Sequence, residues 1–192
     1  GVPTQQQRAF VPSAHGFAFT NSFRGNPFPD SVRNSPLASL AANYADDVGL
    51  EVPTRFGLCG GMCAAAADYW NLGRTPPFRP APPREDDPLY DYLRQRNADS
   101  LGVAGVMALK FIEWMGMPEE ADGPCMAWLT AAELDGVIER VRTKGYAHLG
   151  LVYVDSHTGK PWQNHQVLAR GVGEHDPSRL VLWLYDPNDP GD

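Results

Sequence analysis

The sequence is poor in cysteine and carries no excess of positive charge. Three cysteines among 192 residues are an odd number and too few for a disulfide scaffold, so the hydrophobic core must stabilise the fold. The low number also favours a reducing compartment such as the cytoplasm. Lysine and arginine total 16 against 23 acidic residues, which gives a net charge of −7. We find no basic patch and expect no nucleic-acid partner.

Long hydrophobic runs, internal repeats and low-complexity segments are also missing. The richest apolar run, residues 101–117, is interrupted by Lys110 and Glu113, so we expect no membrane span and no membrane partner. The chain starts at Gly1 instead of methionine, which we expect to result from processing or cloning, and this leaves export open. With 43% hydrophobic and 20% charged residues, the composition predicts one globular domain over residues 1–192.

A helical part and a sheet part follow each other along the chain. The spacing of apolar residues has a helical period over about residues 37–145 and a period of two over about 146–192. The last helix is expected to start at a capping box formed by Thr130 and Glu133. The proline-rich residues 74–88 predict a rigid surface loop. The predicted helices cover residues 37–48, 62–70, 89–96, 106–115 and 130–145.

Three strands are predicted in the sheet part, with a further short strand near residues 16–20. They would be antiparallel because turn-forming sequences connect them. The fold class is therefore α+β, with the helices packed on an antiparallel sheet. The three predicted strands cover residues 148–154, 164–172 and 180–185.

A cysteine flanked by glycines is expected at the start of the central helix. Residues 56–62 read FGLCGGM, and Cys59 is their only reactive side chain. Backbone N–H groups and the helix dipole stabilise a thiolate at a helix start. Cys59 is therefore the candidate nucleophile, whereas Cys63 and Cys125 are expected to be buried and structural.

The last predicted hairpin supplies the partners that a nucleophilic thiol needs. If its turn is centred between His175 and Asp176, His165 lies directly opposite Asp186 and Val167 opposite Leu184. This register gives one consistently apolar face. A histidine held by a carboxylate is oriented to take a proton from a thiol.

These sequences resemble papain-like cysteine peptidases, especially a largely uncharacterised bacterial group. The resemblance is carried by residues 56–62 (FGLCGGM), 164–169 (NHQVLA) and 185–188 (YDPN), and it extends over most of the chain from about Phe19. It implies a papain-like fold, with a central cysteine-bearing helix and a helical subdomain packed on the sheet. It further implies a catalytic triad of Cys59, His165 and Asp186 in that chain order, but no substrate. From these residues we expect a thiol-dependent hydrolase that acts on an amide bond, in a peptide or another amide-containing substrate, without a cofactor.

The chain departs from this family where the oxyanion would be bound. Papain-like peptidases usually carry a glutamine five or six residues before the cysteine, whereas Thr54 and Pro53 occupy these positions. Loss of one oxyanion donor typically slows a reaction by about 10²–10³-fold. The replacement candidates are the backbone N–H groups of Cys59 and Gly60 and the side chains of Arg55, Gln163, Asn164 and Gln166. Asn164 and Gln166 are the least favoured, since both neighbour His165.

Two other functions are compatible with the same residues. An acyltransferase or transglutaminase-like enzyme differs only in using an amine in place of water in the second step. A degenerate papain-like module would bind a peptide without turnover, and the missing glutamine favours it. Cys59, Cys63 and His165 offer three zinc ligands, but no CxxC pair or second histidine supports a metal site. We expect no metal.

Overall fold

A computed structural model describes residues 9–29, 54–102, 110, 113–152, 164–176 and 179–191. The predicted helix over residues 37–48 and most of that over 106–115 lie outside these ranges. None of the helices in the described ranges has the length and apolar character that a membrane crossing needs. These helices are α1 (Pro12–His15), α2 (Cys59–Asn71), α3 (Pro88–Ser100) and α4 (Met126–Lys144).

The sheet consists of three antiparallel strands in the order β1-β2-β3. They are β1 (Ala147–Leu151), β2 (His165–Asp176) and β3 (Arg179–Tyr185). Helices and an antiparallel sheet in separate parts of the chain confirm the α+β class. The helix before the sheet ends at Lys144 and the first strand starts at Ala147.

The predicted register of the β2–β3 hairpin is wrong. Leu184 pairs with Ala169 instead of Val167, a displacement of two residues along β2. The ladder shifts again between Ala169 and Gly171, where one extra residue of β2 is inserted, and once more between Glu174 and Asp176. Such bulges lengthen one strand relative to its partner and are not visible in an alternating sequence. His165 is therefore not directly opposite Asp186.

The predicted strand near residues 16–20 is absent from the described structure. This segment forms no ladder, and the nearest pairing is an isolated bridge between Phe23 and Phe56. Its side chains still alternate, since Phe17 and Phe19 are buried and Ala18 is exposed. The backbone N–H of Phe17 donates to the Tyr185 hydroxyl at 3.1 Å. The aromatic core and the end of β3 hold the segment without a neighbouring strand.

Two predicted helices have different starting points in the structure. α3 begins at Pro88 behind Asp87, whose Oδ1 accepts the Leu89 N–H at 2.9 Å and caps the helix. α4 begins at Met126, so Thr130 lies inside the helix and the predicted capping box is wrong. The end of α4 at Gly145 is confirmed, because this residue has a φ of 83°, in the left-handed region that glycine tolerates.

The sheet has a hydrophobic cluster on each side. On one side, α2 packs on Leu168 and Tyr185 with the aromatic residues of the N-terminal segment. On the other side, Val137 and Val141 of α4 pack on Ala147 and Ala169. The alanines of α2 let the helix approach the sheet and α3 closely, and all four are buried: Ala64, Ala65, Ala66 and Ala67.

Helices α2 and α3 come into direct backbone contact at Gly61. A Cβ atom added there would lie 2.1 Å from the Leu93 carbonyl oxygen, which is far inside the van der Waals limit. Further along, Asp68 binds Arg96 through two hydrogen bonds of 2.7 and 3.1 Å. The two helices form one packed unit with the cysteine at its end.

We predict that Gly61→Ala destabilises the protein by about 2 kcal/mol, because the new methyl group must displace a backbone carbonyl. The measurement is the midpoint of urea unfolding followed by circular dichroism. Gly136→Ala in α4 is the matched control, since its nearest neighbour is the flexible end of Arg140 at 3.4 Å. This control is expected to stabilise by about 0.5–1 kcal/mol through helix propensity. Equal effects of the two substitutions would contradict the close packing of α2 on α3.

Candidate active site

Cys59 is the first residue of α2. The preceding residue, Leu58, is fully buried and has a non-helical backbone with φ of −118° and ψ of 44°. Its carbonyl oxygen accepts the first helical hydrogen bond from the Met62 N–H at 2.8 Å. The side chain of Leu58 thus anchors the turn in the core, while Cys59 is only half-buried.

Two asparagines bind backbone N–H groups on either side of the cysteine. Asn21 Oδ1 accepts the Leu58 N–H at 2.6 Å, and Asn97 Oδ1 accepts the Gly61 N–H at 3.0 Å. In the described part of the chain, the N–H groups of Cys59 and Gly60 have no acceptor. The helix start therefore presents two adjacent backbone donors beside the thiol.

His165 begins β2 and binds the carboxylate that follows β3. Its Nε2 donates to Asp186 Oδ1 at 2.6 Å, a short distance typical of a charge-assisted hydrogen bond. The same oxygen accepts the Asn188 N–H at 2.8 Å, which fixes the carboxylate in a tight turn. In the observed register, the contact is diagonal, since Leu168 pairs with Tyr185. The predicted contact is present although the predicted register is wrong.

The Cys59 side chain also acts on the His165 ring and is one of the groups that raise its pKa. Burial lowers the pKa of His165, but the hydrogen bonds and charges of Cys59 and Asp186 outweigh burial and raise this pKa to about 9. The ring is therefore an imidazolium at neutral pH. Because Nε2 binds the carboxylate, Nδ1 is the ring nitrogen left for the sulfur. An imidazolium ring between a thiol and a carboxylate is suited to general acid and base catalysis.

The other two cysteines differ from Cys59 in their surroundings. Cys63 lies one helical turn further along α2, is fully buried, and has its Sγ 3.6 Å from the Gln166 carbonyl oxygen. Burial raises the pKa of the Cys63 thiol well above its usual value, and the nearby Cys59 and Asp186 raise it further. Cys125 is buried and precedes α4. These environments are those expected of structural cysteines.

The side chains predicted as oxyanion donors are engaged elsewhere. Arg55 is exposed and donates to Ser22 Oγ at 3.0 Å, and Asn164 Nδ2 lies 3.0 Å from Met115 Sδ. Gln166 Nε2 donates to Ser100 Oγ at 3.3 Å, and this amide lies beside Gly60, where an added Cβ would be 2.7 Å from it. Gln163 lies outside the described residues. Of the predicted donors in the described ranges, the backbone of Gly60 and the side chain of Gln166 lie at the start of α2.

The sequence interpretation did not identify three asparagines that contact this site: Asn21, Asn97 and Asn188. The contact of Asn188 could have been predicted, because Asp-Pro-Asn is a typical turn sequence in which the aspartate side chain accepts the backbone N–H two residues further along. Asn21 and Asn97 are distant in sequence from the residues that they bind, and no local pattern indicates such contacts.

The described residues contain no cluster of three or more histidine, cysteine or acidic side chains placed to hold a metal ion. Comparison with protein-family models, curated proteins and solved structures finds no match for this chain. The arrangement of Cys59, His165 and Asp186 is therefore the observation that bears on function.

We predict that His165 and His148 titrate on opposite sides of the usual histidine value of about 6.5. His165 is expected to keep its proton up to about pH 9. Partial desolvation lowers the pKa of His148, although this residue is exposed, and the charge of Arg96 adds to the effect, so its proton is lost at a lower pH than usual. The measurement is a pH titration of the imidazole carbon and proton resonances by NMR, assigned with His165→Gln and His148→Gln.

Cys59→Ala and Asp186→Asn test the cause of this shift. Each removes one partner that favours the charged ring, so each should lower the His165 pKa while the His148 resonance keeps its titration midpoint. A His165 midpoint near 6.5 in the unmodified protein would contradict the coupling of the three residues.

Proposed function

We propose that this protein is a thiol-dependent hydrolase of amide bonds with a papain-like arrangement of its α+β fold. Cys59 is the nucleophile, His165 is the general acid and base, and Asp186 orients the imidazole. The observation that carries the proposal is the hydrogen bond of 2.6 Å between the His165 ring and Asp186 Oδ1, together with the effect of the Cys59 side chain on the same ring, whose pKa it raises. This is the relation that nucleophile, base and orienting group require.

The charge state of the pair supports covalent catalysis. With its pKa raised to about 9, the His165 ring is positive at neutral pH and favours the thiolate of Cys59. Cys59 is also half-buried, so a substrate has access to its sulfur. The thiolate attacks the amide carbon, and the amide oxygen becomes an oxyanion. His165 then donates its proton to the leaving amine, and an acyl-enzyme thioester forms.

The same groups complete the hydrolysis, with the proton transfer in the opposite direction. Neutral His165 takes a proton from water, which attacks the thioester carbon and releases a carboxylate. Asp186 keeps the ring in one orientation through both steps, because Asp186 Oδ1 is itself held by the Asn188 N–H. No cofactor is needed for either step.

The two backbone donors at the start of α2 replace the glutamine that papain-like peptidases usually carry. The N–H groups of Cys59 and Gly60, in the first turn of the helix, have no acceptor in the described residues. Preorganised N–H groups aimed at a developing oxyanion are worth about 10²–10³-fold each in rate. Their presence favours an active enzyme over a degenerate binding module.

We predict that iodoacetamide alkylates Cys59 at pH 6 about tenfold or more faster than it alkylates glutathione, because an imidazolium favours the thiolate and an ordinary thiol is almost fully protonated at this pH. The modified residue is identified by mass spectrometry of peptides. Buried Cys63 and Cys125 serve as internal controls. His165→Gln should remove most of the rate advantage while leaving Cys59 in place.

Turnover is tested with a mixture of unstructured peptides and mass spectrometry of the new termini. We predict cleavage by the unmodified protein and none by Cys59→Ala, since no other described thiol is accessible. Added hydroxylamine distinguishes the acyltransferase alternative, because products that carry the amine at low hydroxylamine concentration would indicate acyl transfer. The enzyme proposal is wrong if Cys59 reacts no faster than glutathione and no peptide is cleaved.

A further inference from the structure

A series of hydrogen bonds connects the cysteine turn with the aspartate turn. Asn21 Oδ1 accepts the N–H of Leu58, the residue before the cysteine, at 2.6 Å. Asn21 Nδ2 donates to Asn188 Oδ1 at 3.0 Å. The Asn188 N–H in turn donates to Asp186 Oδ1 at 2.8 Å. Asp186 binds His165, whose pKa is also raised by Cys59, the residue next to Leu58.

The surroundings of Asn21 fix its amide group in this position. A Cβ atom added to Gly57 would lie 2.7 Å from Asn21 Nδ2, so only glycine at position 57 lets the amide reach the Leu58 N–H. The Asn21 N–H also donates to the Pro187 carbonyl oxygen at 3.0 Å, and Pro187 is buried. The backbone thus brings the two turns together, and the side chains of Asn21 and Asn188 set their relative orientation.

The hydrogen bond between the two amides restrains the distance between the two turns that carry the reactive groups. Asn21 binds the backbone of Leu58, which precedes Cys59, and Asn188 binds Asp186, which holds His165. The Asn21–Asn188 hydrogen bond therefore restrains the separation of the Cys59 sulfur and the His165 ring without contacting either. Misplacement of reacting groups by about 1 Å costs about 10²-fold in rate. A restraint on this separation therefore has a large effect on reactivity and a small effect on overall stability.

We propose that Asn21 and Asn188 are a pair of positioning residues that hold the Cys59 thiolate against the His165 ring. This inference rests on the proposed function, because it assigns a role in the reactivity of Cys59. Neither residue touches the reacting atoms in this arrangement. Asn21 acts through the backbone of Leu58, and Asn188 acts through Asp186.

Aspartate substitutions at the two positions make a sharp test. In Asn21→Asp, the carboxylate still accepts the Leu58 N–H, and the Asn188 amide can rotate to donate to it. In Asn188→Asp, the carboxylate accepts from the unchanged Asn21 amide. Each single variant therefore keeps a hydrogen bond between the positions. The double variant has two acceptors and no donor, so the bond is lost and the two charges repel each other.

The readout is the rate of Cys59 alkylation by iodoacetamide between pH 5 and 9, with the thermal midpoint measured in parallel. Each single variant is expected to react within about threefold of the unmodified protein. The double variant is expected to fall about tenfold below the product of the two single effects, at every pH and with the protein folded. A purely structural pair would change the thermal midpoint without changing the rate in the folded state.

The outcomes separate this inference from the proposed function. A fast wild-type thiol with additive variants would overturn the positioning role and leave the hydrolase proposal in place. A double variant whose rate is only displaced along the pH axis, with the same plateau, would also overturn it, because added charge alone explains a displacement. A wild-type Cys59 that reacts no faster than glutathione would refute both.

Discussion

The packing of α2 against the sheet determines where every reactive group lies. Leu58 and Met62 are fully buried, and the alanine-rich face of α2 lies on Leu168 and Tyr185. Because the first turn of the helix is fixed by this contact, Cys59 meets the strand end that carries His165. Small residues make the approach possible, since alanine buries a helix without side-chain bulk or loss of rotamer entropy. The site is a consequence of how closely one helix can be placed on one sheet.

Two opposing effects act on His165 in this position. Desolvation disfavours the charged ring and lowers the pKa, as it does for His148, where Arg96 adds to the effect. At His165, the Asp186 carboxylate and the Cys59 side chain both favour the charged ring, and their combined effect on its pKa is larger than that of burial. Cys63 shows the opposite result one turn away, because its buried thiol faces a backbone carbonyl and no cation. The same helix thus holds one thiol beside a positive charge and one that stays protonated.

The sequence predicted the fold class, the three strands of the sheet and the meeting of His165 with Asp186, but not the register. The error in register was harmless at the site because Leu184 is displaced by two residues, and an even displacement keeps each side chain on the same face of the sheet. The insertion between Ala169 and Gly171 adds a further shift beyond the site. Bulges depend on local backbone geometry and cross-strand packing, so alternation of apolar residues does not reveal them. The predicted start of α4 at Thr130 is wrong for a similar reason, because a local capping pattern does not reveal that the helix begins four residues earlier, at Met126.

The glycines around Cys59 have a packing role in the structure that the sequence did not indicate. As flanks of a helix start, they were expected only to leave backbone N–H groups free beside the thiol. The structure gives each one a packing partner: Gly57 admits Asn21, and a Cβ on Gly60 would lie 2.3 Å from Ser100 Oγ. Gly61 contacts the backbone of α3. The glycines of the motif therefore allow three other parts of the chain to pack closely against the first turn of α2. Glycine weakens a helix by about 0.5–1 kcal/mol per residue relative to alanine. At the turn that carries Cys59, close packing thus takes precedence over intrinsic helix propensity.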